Sequence, residues 1–370
     1  MPATRRGPLL FMSLAIGEAS TNKTPTPSAA AIIAEQMQAL AAAVVERQYR
    51  TSRSLDRFGA KGRARCIEDT EYHLSFLMAA LDAQSIKQFV DYCAWAKVLL
   101  HGRGIDVAHF IGSLRHLQSV LKSKLLKTHF TEVSKYLDAA LKALPELPTE
   151  LPTRIPAQSP FSAEANSYLN ALLRFDRQTA VDVVLKASSA GVSVKQIYDN
   201  IITPVQHEIG RLWQLGKITV LHEHYCTAAT EIVLAELFRQ LVQRPPRESR
   251  LIALCVEGER HCIALKMLAD LLTVEGWQVR YVGADAPTSS AIRFIAQENA
   301  HIVAVSVTFA KNLSALQALI DEIRAHPACA GVKVLIGGRA TSNDLCKRVG
   351  ADAYAESIGD AVEIASRLLA

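Results

Sequence analysis

The chain lacks most of the features that would place it quickly. Its seven cysteines, at positions 66, 93, 226, 255, 262, 329 and 346, are odd in number, scattered, and include no C-x-x-C pair. That excludes a disulfide framework and a zinc ribbon, and fits a reducing cytosol, so a cytoplasmic location is expected. No apolar run reaches the roughly 18–20 residues a membrane span needs. Charge of one sign is also missing: 41 Lys and Arg against 36 Asp and Glu leave a formal +5, too little for a dedicated nucleic-acid binder. There is no catalytic triad, no P-loop and no paired carboxylate. What remains is ordinary globular composition, 49% hydrophobic and 21% charged, over 370 residues, enough for two or three domains.

Proline marks the main boundary. Residues 144–160, LPELPTELPTRIPAQSP, hold five prolines in seventeen positions, which no helix sustains, so this stretch reads as a semi-rigid linker. Residues 1–27 read as a disordered leader. Residues 28–143 read as an all-helical domain of about five helices, predicted over 29–50, 63–82, 88–101, 106–122 and 126–144. In the second, Ile67, Leu74, Leu77, Met78 and Leu81 share one face of a 3.6-residue period. Gly102 and Gly104 read as a helix stop. After the linker, residues 161–246 are again helical, in about four segments broken near Phe175, Gly191 and Gly216.

The pattern changes at Leu251. The runs LIALCV, WQVRYVG, HIVAVSVTF, VKVLIGG and ADAYA alternate with helical stretches of 10–15 residues. Such alternation over residues 249–370 predicts a doubly wound, parallel, five-stranded sheet of Rossmann or flavodoxin-like type. The fold class is therefore all-α plus α/β. Ligands of such sheets sit at the carboxyl ends of the strands, at the switch in strand order. The first of those loops carries Gly258-Glu259-Arg260-His261, a histidine with a carboxylate two residues earlier, suited to a metal ligand and its orienting partner. Ser306 and Thr308 close the third strand, and Gly337 and Gly338 leave room for a ligand against the backbone.

These residues resemble the cobalamin-binding domains with the signature E-x-H-x-x-G, although Ala264 replaces the final glycine. The resemblance implies His261 as the lower cobalt ligand, Glu259 as its hydrogen-bonded partner, and Ser306, Thr308, Gly337 and Gly338 beside the nucleotide tail. A second motif, Trp213, nine residues, then Glu223-His224, resembles the cap of CarH-type adenosylcobalamin light sensors. It implies that residues 161–246 form a four-helix cap whose Trp213, Glu223 and His224 surround an adenosyl group. Those sensors carry a histidine after the tryptophan, where this chain has Gln214.

The all-helical N-terminal part lacks a wing hairpin, so direct DNA binding is not expected. It resembles instead the photocobilins, which implies biliverdin as a second chromophore, with Tyr72, His73, Tyr92, Trp95 and His109 as contacts. Cys66 and Cys93 are the thiols available to it. Residues 47–65 carry seven basic side chains against Glu46 and Asp56, a solvated basic face or a site for acidic groups. The function so implied is a non-enzymatic, light-responsive cobalamin sensor, in which photolysis changes cap packing and the state of a dimer or higher homo-oligomer, or binding to a protein partner. The alternatives are a corrinoid protein of a methyltransferase system and an antirepressor-type interaction protein regulated by cobalamin.

Overall fold

A computed structural model describes residues 27–369, so nearly all of the expected leader lies outside the described residues. The N-terminal part is a bundle of α1 (Ala29–Glu35), α2 (Met37–Thr51), α3 (Gly59–Asp82), α4 (Ile86–His101), α5 (Val107–Lys124) and α6 (Lys127–Ala143). Leucines and aromatics spaced along these helices close one core, in which Phe89, Leu74, Leu77, Leu114 and Leu137 are fully buried. The single helix predicted over 29–50 is two helices, turned at Gln36 with φ −106°. No breaker residue marks that turn. It arises because α1 packs on α3 and α6 while α2 packs on α3 and α5.

Residues 144–160 lack regular secondary structure, as their prolines dictate, but they are not a free spacer. The buried Lys97 ammonium donates to the carbonyls of Leu144 (2.6 Å), Pro145 (3.3 Å) and Leu147 (2.5 Å). Farther on, the Arg154 amide donates to Glu208 (2.8 Å), Arg211 donates to the Leu151 carbonyl (2.9 Å), and Ile155 is buried in the next core. The segment straps the bundle to the cap.

The cap comprises α7 (Ser162–Leu173), α8 (Arg177–Ser189), α9 (Val194–Ile197), α10 (Thr203–Gln214) and α11 (Val220–Phe238), with a π-turn at Tyr198–Ile202 joining α9 to α10. Its core, built around Tyr168, Tyr198 and Ile201, extends to Met267 and Leu271 of the following α/β unit.

That unit has β1 (Arg250–Val256), α12 (Ile263–Val274), β2 (Gln278–Ala286), α13 (Thr288–Gln297), β3 (Ile302–Ser306), α14 (Leu313–Ala325), β4 (Lys333–Gly337), α15 (Asn343–Val349), β5 (Ala353–Ala355) and α16 (Ile358–Leu368). All pairings are parallel, in the order β2-β1-β3-β4-β5. Strands β1 and β3 are buried on both faces, which is why each reads as an unbroken apolar run. The order reverses between β1 and β3, so the switch point lies at Glu257–His261 and Ser306–Asn312.

Candidate functional site

Glu259 is fully buried at this switch point, where an unpaired carboxylate would be untenable. Six donors surround it. Its Oε1 accepts from the Arg260 amide (3.0 Å), the His261 amide (3.1 Å) and His261 Nδ1 (2.5 Å). Its Oε2 accepts from the Thr308 amide (2.8 Å), the Phe309 amide (2.9 Å) and Asn312 Nδ2 (3.0 Å). Burial alone would raise the carboxyl pKa. The bonds from His261, Phe309 and Thr308 outweigh it and hold the group at about 2. One ionised carboxylate thus joins the β1 loop to the β3 loop.

The consequence for His261 is a fixed tautomer. With Nδ1–H donated to Glu259, Nε2 keeps its lone pair. The side chain is half exposed, and Phe309 stands edge-on to the ring at 4.8 Å between centroids. Among the described residues, no group of three or more His, Cys, Asp or Glu is placed to hold a free metal ion. His261 therefore offers a single, oriented imidazole nitrogen.

The remaining sheet-edge candidates lie around the same switch. Ser306 is buried at the end of β3, in register with Cys255 and Gly337. Thr308 contributes its amide to Glu259, not only the hydroxyl that the sequence suggested. Gly338 has φ +103°, and a Cβ there would meet the Val307 carbonyl oxygen at 2.4 Å, so only glycine lets the two loops approach this closely. Ala264, in place of the signature glycine, is exposed at the start of α12.

The cap candidates are more dispersed. Trp213 stands near the end of α10, half buried, while His224 is exposed, 3.7 Å from Glu223. Glu223 also accepts from Thr227 (3.1 Å), and His222 bonds Thr219 at 2.7 Å and packs on Phe175. Gln214, where the light sensors carry histidine, is buried and donates to the Trp95 carbonyl (3.0 Å). It serves to dock the bundle.

That docking was not readable in the sequence. Phe76 of α3 faces Phe309 edge-on at 6.4 Å, and Lys311 lies 5.5 Å over the Tyr72 ring. On the cap side Trp95 packs on Trp213 at 6.3 Å. Between these ends Phe76 stacks on Tyr92 at 4.0 Å, and Tyr92 on Trp95 at 6.3 Å. An aromatic file therefore runs from His261 to Trp213 through the bundle. Of the helical candidates, Tyr72, Tyr92 and Trp95 belong to this wall. His73 is buried, with Nδ1 2.6 Å from the Tyr92 hydroxyl and its pKa pushed by burial down to about 4, while His109 is exposed on α5. Phe76, Phe309 and Asn312 join the candidate site without having been singled out in the sequence, and Gln214 was singled out there but not for its bond to Trp95. The buried asparagine three residues past an aromatic, in a switch-point loop, was the one available signal.

Comparison with known proteins bears on this arrangement. Residues 249–363 match the family model described as B12 binding domain, and residues 164–237 match a second model of the same description. Among curated relatives, trimethylamine corrinoid protein 2 of Methanosarcina mazei is 23% identical over 197 residues, 52% of this chain and 90% of that protein. The dimethylamine corrinoid protein of Methanosarcina barkeri is 26% identical over 204 residues, 54% of this chain and 95% of that one. The solved monomethylamine corrinoid protein of Methanosarcina barkeri superposes with a TM-score of 0.52 at 18% identity, covering 56% of this chain and all of that one. The bundle lies outside both matched segments. The cap and sheet together carry B12-binding domains, and the chain is a cobalamin-binding protein rather than one that performs catalysis with its own side chains.

Proposed function

We propose that this protein is the corrinoid carrier of a methyl-transfer system, holding cobalamin between the cap and the carboxyl edge of the sheet. The observation that carries the reading is the pairing of His261 with the buried Glu259. The residues fit the group: a single imidazole nitrogen is oriented and free, and a glycine-permitted approach of two loops flanks it. When bound, cobalamin supplies a cobalt centre that takes up and gives back an alkyl group. In this reading His261 Nε2 would be the protein's ligand to the cobalt. Glu259 accepts the bond from His261 Nδ1–H and so fixes the orientation of the imidazole. Ser306, Thr308, Gly337 and Gly338 would hold the nucleotide tail, and Trp213, Glu223 and His224 would contact the alkyl group carried by the cobalt. The relatives named for methylated amines support a methyl group as the cargo and a methyltransferase as the protein partner.

A second reading has one observation in its favour. Trp213 touches Trp95, so a change above the ring would reach the bundle directly. That suits an adenosylcobalamin light sensor, with biliverdin in the helical part beside Tyr92 and Trp95, and with oligomer size changing on illumination.

Trp213→Ala separates the two. For a methyl carrier, affinities for adenosylcobalamin and hydroxocobalamin fall together, within about twofold, because nothing in the cap is built for the adenosyl group. For the sensor, adenosylcobalamin binding falls about tenfold more, and the holo-protein changes mass on illumination in light scattering. The second pattern would replace our reading with the sensor.

A further inference from the structure

Through its carboxylate, Glu259 ties the His261 loop to the β3 side of the switch point. On the other flank strand pairing cannot do the same. The register of β1 with β2 shifts twice, between Ala253 and Leu254 and between Leu254 and Val256, so the ladder is irregular just where the loop begins. Asp285, the last residue but one of β2, makes the connection instead. Its Oδ1 accepts from the Gly258 amide (2.7 Å), and its own amide donates to the Glu259 carbonyl (2.9 Å). We propose that Asp285 is a positioning residue for the cobalt ligand, clamping the His261 loop from the β2 side. The proposal rests on the reading of His261 as that ligand.

The backbone carries the signal. Asp285 has φ +54°, in the left-handed region where an L residue bears strain. Aspartate ordinarily offsets that strain by bonding its own turn. Here the carboxylate reaches to a residue 27 positions earlier, so local turn chemistry does not account for it. Nor does burial hold the residue in place, because Asp285 is exposed. Strain kept at an exposed position beside a ligand-bearing loop marks a functional constraint rather than a packing one.

The two flanks together fix the peptide before the ligand. Gly258 gives its amide to Asp285 and its carbonyl to Asn312 Nδ2 (3.4 Å). The Glu259 backbone is thereby oriented, and with it the side chain that sets the imidazole. A ligating group has to be held within roughly 0.5 Å and 10–20° of its working geometry. Without Asp285 the buried carboxylate of Glu259 still anchors one side, while the other side of the loop is released and the imidazole turns with it.

Three substitutions separate the parts of this role. Asp285→Asn keeps an acceptor and tolerates the left-handed backbone, Asp285→Gly relieves the backbone but removes the acceptor, and Asp285→Ala does neither. Amide hydrogen exchange at residues 257–261, in the full-length protein without cofactor, should quicken about tenfold in the alanine and glycine variants, the worth of one charge-assisted bond. The asparagine variant should stay within about twofold of wild type. Loaded with cobalamin in the cobalt(II) state, the alanine and glycine variants should lose most of the histidine-nitrogen splitting in electron paramagnetic resonance, and asparagine should keep it. A urea transition distinguishes positioning from stability: glycine should unfold closer to wild type than alanine does, yet lose the splitting as fully.

Unchanged exchange and splitting in the alanine and glycine variants would overturn the proposal, because the loop would then be held from β3 alone. Full restoration by glycine, or an asparagine variant as impaired as alanine, overturns it as well, since the acceptor would not be what counts. If the wild type itself shows no histidine splitting, the ligand reading fails by itself, and exchange in the cofactor-free protein still decides whether Asp285 holds the loop.

Discussion

Glu259→Ala is expected to destabilise the α/β unit by about 3–5 kcal/mol and to abolish tight cobalamin retention. Removing the carboxylate strands the Thr308 and Phe309 amides and the Asn312 amide nitrogen, and frees the imidazole of His261 to turn. Breaking one side of a buried, fully bonded charge carries a cost of this order, because the partners are left without acceptors. Glu259→Gln should fall between, since it keeps the shape but presents an NH2 group to donors. Hydrogen exchange of residues 302–312 reads the effect locally, and a urea transition reads it globally. Unchanged protection in Glu259→Ala would mean that the two loops are held by something other than this carboxylate.

Gly216→Ala should release the bundle from the cap. Gly216 has φ +69°, so alanine there bears the strain of the left-handed region, about 1 kcal/mol. The larger effect is the collision of its Cβ with the Gly102 carbonyl oxygen, worth roughly a further 1–3 kcal/mol where neither backbone yields. Gly104→Ala is the control. Gly104 has φ +73°, but a Cβ there would meet nothing within 4 Å, so the variant bears the strain without the collision. Only Gly216→Ala should expand the molecule in small-angle scattering and expose residues 144–160 to protease. An unaltered scattering profile would place the bundle's attachment elsewhere, on the Phe76–Phe309 side.

The sheet was legible because its central strands are buried on both faces and so appear as continuous apolar runs between glycine-bearing loops. The Glu259–His261 pair was legible because the two residues share one loop, where a spacing of two lets the carboxylate reach back to Nδ1. The rest depended on contacts between distant segments. Gln214 carries no mark in the sequence of its bond to Trp95, 119 residues earlier. Gly102 reads as a helix stop, which it is, and its second use against Leu215 and Gly216 is invisible until the two units meet. The prolines of 144–160 foretold the loss of helix but not the grip of Lys97, because a buried ammonium on three carbonyls is a tertiary fact. The turn at Gln36 was missed for the same reason: packing overrode a run of good helix formers.

The central claim is that His261 is the lower cobalt ligand, and electron paramagnetic resonance of the protein loaded with cobalamin in the cobalt(II) state tests it most directly. Nitrogen-14 on the axial position splits each cobalt line into three, and nitrogen-15 splits it into two. Protein made with nitrogen-15 histidine should therefore convert triplets to doublets, and His261→Ala should lose the doublets. Triplets that persist in the labelled protein would show the cofactor's own base on the cobalt, and would contradict the account.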